Sequence, residues 1–154
     1  MSDLSNFLPR RWLDLPRLSQ WMTQHWPKTR HADWFLRLPL AAVMLQYGLD
    51  KFPLSADAAA GWGLPLWAWT LAGVGELAVA FLLIASGLLA SLKGNAFAAI
   101  LTRVAGLVAA IIVAGVIIVA YWAPPLDLLM FNQFHLMLLG ASLYLALKSA
   151  PRAQ

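Results

Sequence analysis

A lone glutamate, Glu76, stands near the middle of PLWAWTLAGVGELAVAFLLIASGLLASL, residues 65 to 92, an apolar run long enough to cross a bilayer. A helix rises about 1.5 Å per residue, so roughly 20 apolar residues span the hydrocarbon layer of about 30 Å. An ionised side chain at that depth costs roughly 2.5 to 3.5 kcal/mol even on lenient insertion scales, so Glu76 is expected to face protein or water and to have a partner. Counting inward from the segment ends places Gln46 and His135 about 10 Å deep, Tyr47 shallower and Glu76 about 15 Å deep. Lys51 and Asp50 fall at the rim, with Asn132 and Gln133 near it. Helices turning these faces inward would line one cup with Glu76, Lys51, Tyr47, Gln46, His135 and Asn132. Such a cup suits a small polar or redox-active head group such as a quinone, with Glu76 and His135 accepting and donating protons. The same residues have a plainer reading, in which Glu76 pairs with Lys51 or Tyr47 and only fixes helix register.

Other chemistries are excluded or poorly served. The absence of cysteine rules out disulfides, thiol relays, covalent c-type haem and thiolate-bound clusters in this chain. Haem held by two histidines is disfavoured because His25 and His31 precede the first apolar segment, on the opposite side from His135. The apolar segments hold one glutamate and one histidine with no Glu-x-x-His pair, so no metal site is expected. Neither a phosphate-binding glycine loop nor a nucleophile elbow is present, and no basic and aromatic pattern suggests nucleic acid. No residue is assigned a catalytic role, and the chain is not expected to be catalytic alone. Any redox cofactor would come with a protein partner, leaving a quinone as the candidate small molecule.

The elements that would hold this cup are read from composition. Hydrophobic residues make up 61% of the 154 and charged residues 12%, which describes a membrane bundle. Four apolar segments emerge, at about 34 to 52, 65 to 92, 97 to 122 and 128 to 147, giving an all-α, polytopic, four-transmembrane-helix bundle over residues 34 to 147. In the first, Pro39 predicts a kink or a start near Leu38, and Pro53 closes the helix. Arg37, Met44, Gly48 and Lys51 share one face there. In the second, Trp69, Gly73, Glu76, Ala80, Leu83 and Gly87 form a stripe, and in the third Arg103, Gly106, Ala110 and Ala114 form another. Stripes of small residues serve close helix contact in lipid, within one chain or between copies in a homo-oligomer.

Residues 1 to 33 place Arg10, Arg11, Arg17, Lys28 and Arg30 among Trp12, Leu15, Leu18, Met22 and Trp26, at spacing that suits an amphipathic helix lying in the headgroup plane or docking a partner. Pro9, Pro16 and Pro27 break this segment, which does not read as a signal peptide. Residues 148 to 154 form a short basic tail. Ten of the 11 lysines and arginines fall on one side if the segments alternate, which makes both ends of the chain cytoplasmic. Tryptophans 62, 67 and 69 mark the opposite interface.

The G-x-x-K end of RLPLAAVMLQYGLDKF, then GLPLW and the G-x-x-x-E-L core of AGVGELAVAFLLIASGL, then LTRVAG together resemble the DoxX family of small four-helix membrane proteins. The likeness covers about residues 35 to 147 and rests on Arg37, Gly48, Lys51, Glu76 and Arg103. It implies a multi-pass protein of a bacterial-type inner membrane, with some relatives serving as subunits of thiosulfate:quinone oxidoreductases or other membrane oxidoreductase assemblies. It departs in the last segment, where FNQFH stands in place of an acidic start. The expected role is a small subunit or accessory of a quinone-linked redox assembly. The alternative is a non-enzymatic membrane scaffold or carrier that recruits a partner protein. The charge distribution predicts that a reporter fused after Gln154 is active in the cytoplasm; activity on the far side of the membrane would invert the orientation of the cup.

Overall fold

The computed structural model describes residues 32–93 and 96–148. The interfacial helix expected over residues 1 to 33 lies outside the described residues apart from Ala32 and Asp33, as does the tail beyond Lys148. Among the described residues every regular element is helical: α1 (Trp34–Asp50), α2 (Ala56–Gly61), α3 (Leu66–Lys93), α4 (Ala96–Ala120), α5 (Pro125–Phe131) and α6 (Gln133–Leu147).

Local chemistry sets the ends of these elements. The carbonyl of Asp33 accepts from the amides of Leu36 and Arg37 and starts α1. Pro39 lies inside α1, so the helix starts at Trp34 despite the missing N–H that would have bonded the Phe35 carbonyl. Ser55 Oγ accepts from the Ala58 amide at 3.1 Å and caps α2. Pro65 precedes α3, its carbonyl accepting from Ala68 and Trp69. The third apolar segment ends at Ala120, two residues earlier than expected, ahead of the Pro124 and Pro125 pair.

The fourth segment differs from expectation. Leu128 to Phe131 belong to α5, which Pro125 opens, and the helix carrying His135 begins only at Gln133. Between them Asn132 leaves the helical region, at φ −125° and ψ 33°, and the two axes bend by 98°. Asparagine competes readily with helical hydrogen bonding, and Gln133 Nε2 donates back to the Met130 carbonyl across the elbow.

The packing order is α1 on α3, α3 on α4 and α4 on α6, with α1 and α6 in slight contact. Asp33 and Lys148 form an ion pair that joins the start of α1 to the end of α6. The core holds Leu40, Met44, Val79, Leu83, Ala105, Ala109, Val113 and Leu145, while Phe35, Phe81, Ile111 and Met137 point outward. With apolar side chains on both inner and outer surfaces, α3 and α4 are each long and apolar enough to cross a membrane, at mean hydropathies of 2.0 and 2.6. The bent pair α5 and α6 makes a third crossing if it counts as one span. The chain is thus a membrane-embedded helical protein. α1, with 17 residues, is about 26 Å long, short of a hydrocarbon layer of about 30 Å.

In lipid, helices gain little from burying apolar surface against one another, so backbone approach decides packing. Both stripes face neighbours within the chain. A Cβ on Gly48 would lie 2.7 Å from Leu77 Cδ2 and one on Gly87 2.9 Å from the Trp34 ring, so α1 sits close on α3. At Gly106 a Cβ would come within 2.6 Å of the Ala146 amide nitrogen and 2.8 Å of the Ser142 carbonyl oxygen. Backbone cannot yield as a flexible side chain can. Gly106→Ala is therefore expected to force α4 and α6 apart and to destabilise by about 1 to 3 kcal/mol, seen as a lowered thermal midpoint in detergent. Gly140→Ala, where a Cβ meets nothing within 4 Å, should leave the midpoint unchanged or raise it.

Candidate binding cavity at the Lys51 and Glu76 pair

Lys51 follows the last turn of α1, yet its side chain folds back into the bundle and is only 13% exposed. Its ammonium donates to Glu76 Oε1 at 2.9 Å and Oε2 at 2.7 Å, and to the Tyr47 carbonyl at 3.3 Å. All of its donors are used. Glu76, in the third turn of α3, is 1% exposed. The stem of Lys51 can lie this close to α3 because position 73 is glycine; a Cβ there would stand 3.2 Å from Lys51 Cδ. Trp69, one turn before Gly73, sets its ring 5.0 Å from the ammonium and stacks on Trp62 at 6.3 Å between centroids. A cation over an indole face is attracted by the ring quadrupole.

Next to this pair is a cavity of about 800 Å³, within the range of small-molecule sites. Its polar wall is Tyr47, Asp50, Lys51, Glu76, Tyr121 and His135, and its apolar wall runs along α3 and α4 from Leu71 and Ala72 to Ile111, Gly115 and Val119. Ala58, Gly61, Trp62 and Leu64, from α2 and the turn after it, close it on another side. His135 lies against the Tyr121 ring, with centroids 4.3 Å apart, and meets Phe134 edge-on.

Four of the six residues expected in the cup, Tyr47, Lys51, Glu76 and His135, line this one cavity. Gln46 does not. It is exposed, because two residues along a helix is a turn of about 200°, which carries it to the face opposite buried Met44; depth along the axis says nothing about direction around it. Asn132 does not line the cavity either, since it forms the elbow between α5 and α6, its backbone N–H donating to the Leu128 carbonyl. Trp69, expected as an interface marker and as the first member of the Glu76 stripe, also forms part of the wall, and among the described residues its buried indole N–H has no hydrogen-bond partner. Tyr121 and Gly115 were not anticipated in the site. Tyr121 lay outside any periodic stripe, and Gly115 is off the small-residue stripe of its own segment.

Arg37 and Arg103 lie at the other end of the bundle, whereas Gly48 stands one turn before Lys51 against Leu77. Arg37 is buried and donates to Ser86 Oγ at 2.8 Å, Thr102 Oγ1 at 2.9 Å and the Leu83 carbonyl at 3.3 Å. Its guanidinium also lies 4.0 Å from Asp33. Arg103 is exposed and donates from Nε to the Lys148 carbonyl at 3.1 Å. Arg37 and Gly48 thus hold α1 to α3, and Arg103 holds α4 to the end of α6.

Breaking a buried pair by removing one partner leaves an uncompensated charge and costs about 3 to 5 kcal/mol, whereas replacing both by apolar groups is often nearly neutral. Lys51→Met is accordingly expected to destabilise strongly and Lys51→Met with Glu76→Leu to recover most of the loss, measured as a double-mutant cycle of unfolding in detergent. Additive losses would mean that the two side chains act independently. No family model, no curated protein and no solved structure matches the chain.

Proposed function

We propose that this is a four-span, DoxX-like protein of a bacterial-type inner membrane that serves as a small subunit or accessory of a quinone-linked redox assembly. The observation that carries this reading is the cavity of about 800 Å³ that sets a buried carboxylate and ammonium beside Tyr47, Trp69, Tyr121 and His135. α1 and the bent α5 and α6 complete the count of spans in this reading. Both chain ends are cytoplasmic, in keeping with ten of 11 lysines and arginines on one side. The cavity, at the Lys51 end, then faces the outer leaflet beneath the tryptophan-bearing loop.

A quinone is an uncharged ring with two carbonyl acceptors. The unpartnered Trp69 N–H is a donor of the kind those acceptors need, and the aromatic side chains supply flat walls. Glu76 and His135 can hold and pass protons. Electrons would come from a cofactor carried by a membrane or peripheral partner, which the basic, tryptophan-bearing sequence of residues 1 to 33 would recruit. A scaffold or carrier is the second reading, and one observation favours it: the Lys51 donors are fully used by Glu76 and Tyr47, as a pair that only fixes register would be.

Purification in mild detergent, with mass spectrometry of associated proteins and lipids and an optical spectrum, separates the two. The expected outcome is a copurifying quinone together with a cofactor-bearing partner, the quinone being lost from Glu76→Gln while the protein remains folded. A colourless preparation without either, unaltered by that substitution, would assign the pair to structure alone.

A further inference from the structure

Gly115 lies well inside α4 and lines the cavity, and a Cβ built on it meets no atom within 4 Å. Glycine within a helix costs about 1 kcal/mol relative to alanine. At Gly48, Gly87 and Gly106 that cost is offset by a neighbour that fits against the bare backbone. At Gly115 no part of the described chain takes up the space, so the missing side chain enlarges the cavity and nothing else.

The residues one turn to either side, Ile111 and Val119, are 63% and 48% exposed, and Leu71 on α3 is 65% exposed. All three line the same cavity as Glu76, which is 1% exposed. One continuous space therefore joins a buried ion pair to apolar side chains on the outer surface of the bundle. Farther along, α3 and α4 close on each other where Gly75 stands 3.1 Å, by its absent Cβ, from Ile112 Cδ1. The opening is thus a window bounded by Leu71, Ile111, Gly115 and Val119. Its rim carries no charge, and both helices that frame it are apolar enough to lie in the hydrocarbon layer.

We infer that the cavity takes a membrane-dissolved amphiphile with a ring head group and an apolar tail, which passes from the bilayer between α3 and α4 and leaves its tail over Gly115. The inference rests on the reading of the cavity as a quinone-type head-group site and adds the tail and the route. Its geometry is matched to the ligand at both ends: donors and aromatic rings near Lys51 and Glu76 for the head, and a side-chain-free strip of α4 for the chain.

The test uses the full chain in lipid nanodiscs and two probes, a tailless benzoquinone and the same ring bearing a long isoprenoid tail, with binding measured for wild type, Glu76→Gln, Gly115→Leu and Val119→Trp. Wild type should bind both, the tailed probe more tightly. Gly115→Leu fills the strip with a side chain that clashes with no protein atom at its root, so it should stay folded. It should weaken the tailed probe about tenfold, the equivalent of about two methylenes of lost burial, and the tailless probe far less. Val119→Trp, at the rim, should act in the same direction, and Glu76→Gln should weaken both probes alike. Tailed binding untouched in folded Gly115→Leu and Val119→Trp would overturn the window while leaving the head-group site standing. Equal loss of both probes in these two variants, or a wild-type window filled by phospholipid chains that the tailed probe does not displace, would overturn it as well. Wild type binding neither probe would remove the quinone reading and the window with it.

Discussion

The bundle is organised by the need to neutralise one carboxylate in surroundings that cannot solvate it. Glu76 sits on α3 with hydrocarbon-facing side chains on either flank, and an ion there is tolerable only with a partner and satisfied hydrogen bonds. Lys51 provides both, but it has to come from the end of α1 and turn back. Two glycines make that approach feasible: Gly48, which lets α1 settle against Leu77, and Gly73, over which the lysine stem lies. Once Lys51 is held, the chain leaving α1 is held too, and with it the loop and the Trp62 and Trp69 pair that walls the cavity. The ion pair, the helix contact and the cavity wall are in this sense one arrangement.

A second polar layer around Arg37 fixes the opposite end of the same helix. Ser86 and Thr102 each donate their hydroxyl to a carbonyl of their own helix, Leu83 and Ala98, and accept from the guanidinium, so three helices share one charge without a buried carboxylate. Between the layers lie Leu40, Met44, Val79 and Leu83, whose packing supplies no direction of its own. Dispersion among apolar side chains tolerates sliding; charged hydrogen bonds at two heights do not. The two layers therefore set the register of α1 on α3, and the apolar layer fills the space they define.

Much of this was legible in the residues because lipid restricts what a polar side chain can do. Glu76 announced a partner, and Lys51 was among the candidates on the adjacent face. The stripe from Gly73 through Glu76 and Ala80 to Gly87 was buried as its spacing implied. What depth alone could not supply was direction around a helix axis, which placed Gln46 outside, and the change of axis at Asn132, which depends on local backbone competition more than on hydropathy. Tyr121 and Gly115 were illegible for a different reason. Their place in the site comes from how α3, α4 and α6 come together, and a single segment read by itself contains no record of that.

The lengths of the helices bear on the membrane around them. α3 and α4 have 28 and 25 residues, whereas α1 has 17 and α6 has 15 before its continuation turns away at the elbow. At about 1.5 Å per residue these are roughly 42 and 38 Å against 26 and 22 Å. A lipid layer of uniform thickness does not suit both pairs, and mismatch costs a fraction of a kcal/mol for each ångström. Were α1 and α6 to cross it as well, the bilayer beside them would have to thin while that beside α3 and α4 would not, giving the molecule a thickness gradient around its circumference. Neighbours with short spans would gather on the thin side for that reason alone, before any specific contact is made.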